Sequence, residues 1–136
     1  MARSILPVLA LLAGTAFLLA GNGLLGLLLP LRGGVEGFSI TSLGLLGTAW
    51  AVGFVGGCLV APRLVMRVGH VRALGAFAAS AAAVALVDGL LIDPAAWIAL
   101  RVLTGFAMSS AFMVIESWLN ERATNETRGQ VFSLYM

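Results

Sequence analysis

Residues 99–118 read ALRVLTGFAMSSAFMVIESW. About 20 predominantly apolar residues suffice for a helix to cross a bilayer, and this run qualifies. It nevertheless places Arg101 near one end and Glu116 near the other. Working outward, the quoted run belongs to a span over 95–119, and three more spans precede it at 5–31, 41–61 and 73–92. Connections are expected at 32–40, 62–72 and 93–94. After a link over 120–128, the last eight residues (GQVFSLYM) read as a fifth helix starting at 129. The chain has 136 residues, 60% hydrophobic and only 10% charged. A soluble domain carries about a quarter charged residues. These numbers, with a mean hydropathy of +1.04, predict an all-α membrane protein whose first partner is the lipid bilayer. A net charge of +2 calls for no nucleic acid. The first run, 27 residues long, exceeds the roughly 7–15 apolar residues of a secretory signal. It is therefore read as a transmembrane helix.

Local signals agree with these boundaries. Asp93 is suited to cap a helix and Pro94 to open it. Trp97 and Trp118 lie 21 residues apart, about 31 Å along a helix, which suits the two interfacial belts. Trp50 lies mid-span and is assigned to packing. With the N-terminus in the cytoplasm, Arg3, Arg63, Arg67, Arg72, Arg122 and Arg128 fall inside and only Arg32 outside. That is the positive-inside pattern of a multi-pass membrane protein with a cytoplasmic N-terminus. The single cysteine, Cys58, permits no intrachain disulfide and is read as a small packing residue. His70 is read as a solvated turn residue, since one histidine without further ligands makes no metal site. No cofactor is called for.

Charges within a span face the protein interior or a water-filled cavity. At 100° per residue, Arg101, Gly105, Met108, Ser109, Phe112 and Glu116 share one side of helix 4. Leu103, Phe106, Ala107 and Val114 mark a more lipid-compatible side. Arg101 lies about 10 Å, and Asn22 of helix 1 about 13 Å, below the outer surface. Thr15 shares the face of Asn22. Arg101, Asn22, Thr15, Gly105 and Ser109 are thus candidates for a substrate cavity, with Arg101 suited to an anionic group. Asp88, across the turn before helix 4, is the alternative partner of Arg101. Toward the other membrane face, Glu116 is placed to meet Arg67 of the 62–72 connection. Helix 2 carries Ala49, Gly53, Gly57 and Ala61, a small-residue stripe for close helix packing.

These residues also resemble a family. The stretch PRLVMRVGHVR at 62–72 is similar to the helix 2–3 loop of the major facilitator superfamily, G-x-L-x-D-R-x-G-R-R with a further basic residue. Leu64, Arg67, Gly69 and Arg72 match, whereas Pro62 and Met66 replace a glycine and the aspartate. Arg101 followed by Gly105 resembles the family's helix 4 motif, and Arg128-Gly129 its entry to helix 5. The run ESWLNERATNETRGQVFSLYM resembles the YcaD-type bacterial subgroup. The resemblance implies the N-terminal part (helices 1–4 and the start of 5) of a twelve-helix secondary transporter that moves a small solute by alternating access. It implies a gating loop and latch formed by Arg63, Arg67, Gly69, Arg72 and Glu116, with Glu116 taking the place of the missing aspartate. A coupling proton or ion is a further partner of such transporters. Helix 1 lacks the membrane carboxylate of many proton-coupled drug exporters of the family, so it lends proton coupling no support.

Two other readings compete. A four-helix multidrug exporter would need a glutamate in the middle of helix 1, and there is none. A non-transporting four-helix scaffold or subunit would have no use for two polar inward faces. HExxH, P-loop and paired-cysteine motifs are absent, and the chain is not read as an enzyme.

Overall fold

The computed structural model describes residues 2–123 and 128–135. It is all-α, with α1 Ala2–Val35, α2 Ile40–Val68, α3 His70–Leu90, α4 Pro94–Arg122 and α5 Arg128–Tyr135. Four of these helices, over Leu6–Val35, Ile40–Val68, His70–Leu90 and Pro94–Glu121, are long and apolar enough to cross a membrane. The chain is therefore a multi-pass membrane protein. The middle of the expected helix 4–5 link, 124–127, lies outside the described residues.

The helices begin and end where the chemistry allows. Ser39 caps α2 by accepting the amide of Ser42 at 3.2 Å. Asp93 caps α4 by accepting the amide of Ala96 at 2.8 Å, one residue before Pro94. The expected 62–72 connection is a correction. α2 runs on through Pro62 to Val68, and α3 starts at His70, so only Gly69 is non-helical. Pro62 removes its own amide from the ladder and crowds the carbonyl of Cys58, yet the helix continues on either side of it. Gly69 has φ +86, a conformation that costs a side-chain-bearing residue strain. Its amide still bonds to the carbonyl of Val65 at 2.9 Å. The reversal between α2 and α3 is thus compressed into one glycine. α1 likewise extends to Val35, four residues beyond its expected end, and Arg32 in its last turn pairs with Glu36 at 2.6 Å.

α4 is the centre of the bundle. More than half of its apolar window is buried, against 6% for α1. It packs most extensively on α2 and next on α3, and α1 lies lightly on both α2 and α4. The α2–α4 seam is built on the small-residue stripe, since Ala49, Gly53, Gly57 and Ala61 are all buried. A Cβ on Gly53 would come within 2.7 Å of the Val102 carbonyl carbon, and one on Gly57 within 2.6 Å of Phe106 O. Gly105 answers from α4, where a Cβ would sit 2.9 Å from Phe54 N. Without solvent to drive apolar faces together, such close packing is a main source of helix association in a bilayer. On the other flank Ala73 and Phe77 of α3 pack against Ala107, Ala111 and Val114 of α4.

Three side chains acquire surroundings that the sequence left open. Trp97 is enclosed by protein; it stacks edge-on to Phe38 at 5.0 Å and packs with Leu29 and Leu46. Its indole N–H donates to the carbonyls of Asp88, at 3.0 Å, and Leu91, which closes the α3–α4 turn. Cys58 lies on the exposed side of α2. Trp50, assigned to packing, stacks on Phe54 at 5.0 Å and also donates its N–H to Asn22 Oδ1 at 3.3 Å, joining α2 to α1.

Candidate functional site

The geometry of α4 divides its expected inward face in two. Trp97, Arg101, Thr104 and Met108 recur at i, i+4, i+7 and i+11, one narrow stripe of a helix. Thr104 and Met108 floor a cleft of about 400 Å³ whose walls include Asn22 and Leu25 of α1 and Ala81 and Ala85 of α3. Trp97 lies on a second cleft, of about 450 Å³, with Leu29, Arg32 and Asp88. The two clefts share Leu25 and Ala85. Arg101 sits on the stripe between them, only 7% exposed.

Gly105 and Ser109 are turned away from this groove, which corrects their assignment to a cavity wall. They lie some 60–100° round the helix from its centre, at about 100° per residue, and meet α2. Gly105 touches the Trp50 turn, and Ser109 packs on Gly57 while its hydroxyl donates to Phe106 O at 3.2 Å. Their small size serves the seam. The face expected toward lipid is also corrected. Ala107 and Val114 are buried against α3, and of that set only Leu103 is well exposed. Thr15 is buried, but its hydroxyl is spent on Leu11 O at 2.8 Å within its own helix. Of the five cavity candidates, Asn22 lines the first cleft and Arg101 lies buried on the stripe between the two.

Asp88 is the residue that sequence reasoning undervalued. It is 2% exposed, and neither carboxylate oxygen has a hydrogen-bond partner; Arg101 Nη1 has none either. No Asp88–Arg101 ion pair forms within 4.0 Å among the described residues, so the simple structural pair is not what the fold presents. A signal existed in the sequence: Ala73, Phe77, Val84 and Asp88 fall on one face of α3, the face that is buried.

At the other end of the bundle, Arg63 and Arg67 ride the last turns of α2 and Arg72 the first turn of α3, all exposed. Arg63 Nη1 reaches back to Leu59 O at 3.4 Å. Glu116 is exposed on α4. His70 is not a solvated turn residue. Its Nε2 lies 3.0 Å from Ser117 Oγ and 3.6 Å from Glu121 Oε1, tying the start of α3 to the end of α4. Its position directly after the single-residue break at Gly69 explains this, because the imidazole is carried by the first helical turn instead of a loop.

Comparison with known proteins adds a direction to this geometry. The chain is similar to MFS-type transporters. It is 29% identical over 132 residues to an uncharacterized MFS-type transporter of Enterobacter sp. (strain 638). It is 27% identical over 130 residues to uncharacterized MFS-type transporters of Yersinia pestis (strain Pestoides F) and Yersinia pseudotuberculosis (serotype O:1b, strain IP 31758). Each match covers 96% of this chain, and the chain spans about a third, 34%, of the length of these relatives. No family model matches the chain. No solved structure matches it significantly.

Proposed function

We propose that this chain forms the N-terminal part, α1 to α4 and the start of a fifth helix, of a twelve-helix secondary transporter in the bacterial inner membrane. The transporter moves a small solute by alternating access, and its N-terminus is cytoplasmic. The carrying observation is similarity to MFS-type transporters along 96% of the chain. The buried Arg101 in the most enclosed helix supports it, since an ionisable side chain inside a membrane is costly and marks a pathway. Arg101 and Asn22 contribute to the solute path. Gly105, Ser109, Ala49, Gly53, Gly57 and Ala61 form the seam that sets the depth of that path. Thr15 stabilises α1 beside it. Arg63, Arg67, Gly69, Arg72 and Glu116 form the cytoplasmic gate, with α2 and α3 pivoting at Gly69. Within the superfamily, the resemblance of its closing run, ESWLNERATNETRGQVFSLYM, supports a YcaD-type reading.

The test is transport by the complete protein reconstituted in proteoliposomes, screened against anionic and neutral solutes. Arg101→Ala is expected to abolish transport while leaving membrane insertion and expression unchanged. Transport at the wild-type rate by that variant would remove Arg101 from the mechanism. An intact protein that moves no solute in any orientation would favour the scaffold reading.

A further inference from the structure

We propose that Asp88 is a proton-binding site, reached through the cleft between α1, α3 and the start of α4. Among the described residues it is the only buried acidic side chain. Glu36 is paired with Arg32, Asp93 caps α4, Glu121 sits beside His70, and Glu116 is exposed. A buried carboxylate is held by hydrogen bonds, paired with a cation or neutralised. Asp88 has no such support from the protein. Both oxygens lack a donor, and the indole N–H of Trp97 goes to the Asp88 backbone carbonyl instead.

The charged groups around it are few. Arg101 approaches from α4 but stays beyond ion-pair distance, with Nη1 unpartnered. Arg32 of α1, at the lip of the cleft, is engaged by Glu36. The Asp93 carboxylate, in the α3–α4 turn, is occupied by the Ala96 amide. α2 brings no charged residue to this end, since none occurs between Ile40 and Ala61. The carboxylate therefore has one way to be satisfied by a residue, closure onto Arg101, and one without, uptake of a proton from the cleft. The open arrangement corresponds to the protonated form. Losing the proton leaves a carboxylate that attracts Arg101, so proton occupancy on α3 sets the position of a guanidinium on α4. Taken with the transporter reading, on which this step alone rests, Asp88 supplies the membrane carboxylate that helix 1 lacks.

The test is infrared spectroscopy of the chain in lipid nanodiscs, titrated from acid to alkaline pH, with ¹³C-labelled aspartate. The chain has only two aspartates, Asp88 and Asp93, and Asp93→Ser keeps a capping side chain while removing the second. The labelled Asp93→Ser protein is expected to show the carbonyl stretch of a protonated carboxylic acid and to lose it as pH rises. Asp88→Asn should lose the band at every pH, and Arg101→Gln should move the pH at which it disappears. Absence of a labelled protonated band at all pH values, or its survival in Asp88→Asn, would overturn the proposal. So would disappearance of the band at constant pH on adding sodium, which would assign the site to a metal cation. Because the band is read without transport, an intact band in this chain together with no solute moved by the complete protein would count against the transporter reading alone. Should Asp88→Asn not fold, the labelled Asp93→Ser protein still decides.

Discussion

Gly53→Ala tests the central structural claim, that backbone-to-backbone contact between α2 and α4 holds the bundle together. The added Cβ would stand 2.7 Å from the carbonyl carbon and 2.9 Å from the Cα of Val102. Carbon atoms in contact sit about 3.5–4.0 Å apart. Relief therefore requires the helices to part by more than about 0.8 Å at that point, because the Val102 carbonyl oxygen stands nearer still, and Val102 offers backbone, which cannot rotate aside. Overpacking of this kind costs about 1–3 kcal/mol. The upper end is expected, because the seam also seats Gly57 and Gly105 and would open along its length. About 3 kcal/mol is roughly a hundredfold in the unfolding equilibrium. Gly47→Ala is the control. It lies on the same helix with nothing within 4 Å of its Cβ, and alanine is the better helix former by about 1 kcal/mol. The assay is reversible unfolding in mixed detergent micelles, followed by circular dichroism and by tryptophan fluorescence. Gly53→Ala should unfold at clearly lower denaturing-detergent fraction than wild type, and Gly47→Ala at the same or a higher one. Equal stability of the two variants would refute the seam. Gly105→Ala should reproduce the loss, and combining it with Gly53→Ala should cost less than the two losses together, since one opening relieves both.

Two further outcomes follow from the other end of the bundle. Gly69→Ala places a side chain at φ +86, and should destabilise the protein by about 1–2 kcal/mol; protease sensitivity at the α2–α3 junction should rise, and unchanged sensitivity would mean that the turn tolerates another backbone path. For the proposed gate, Glu116→Arg and Arg67→Glu should each depress transport, and the double reversal should recover it; a double variant no better than either single one would separate the two residues.

Much of the fold was legible in the sequence because membrane spans are set by length and hydropathy, both local quantities. Four spans, the Asp93-Pro94 start and the glycine stripe of α2 needed no tertiary information. The helical period also identified Arg101 as facing inward. What it could not resolve was which neighbour each inward side chain meets. Arg101 and Gly105 lie only about 40° apart on α4, yet one faces the α1–α3 groove and the other is pressed against α2. That split depends on where three other helices stand around α4, which no single helix encodes.

The sequence by itself determined that this chain is helical, spans a membrane, and carries a rare buried charge in its fourth helix. Only the tertiary structure decided that Trp97 is enclosed, that His70 meets Ser117 and Glu121, and that Asp88 lies buried without a donor. Those outcomes rest on contacts between residues far apart in the chain, as with His70 and Ser117, or on the orientation of a turn. Hydropathy is a property of a segment, whereas the satisfaction of a buried polar group is a property of everything packed around it.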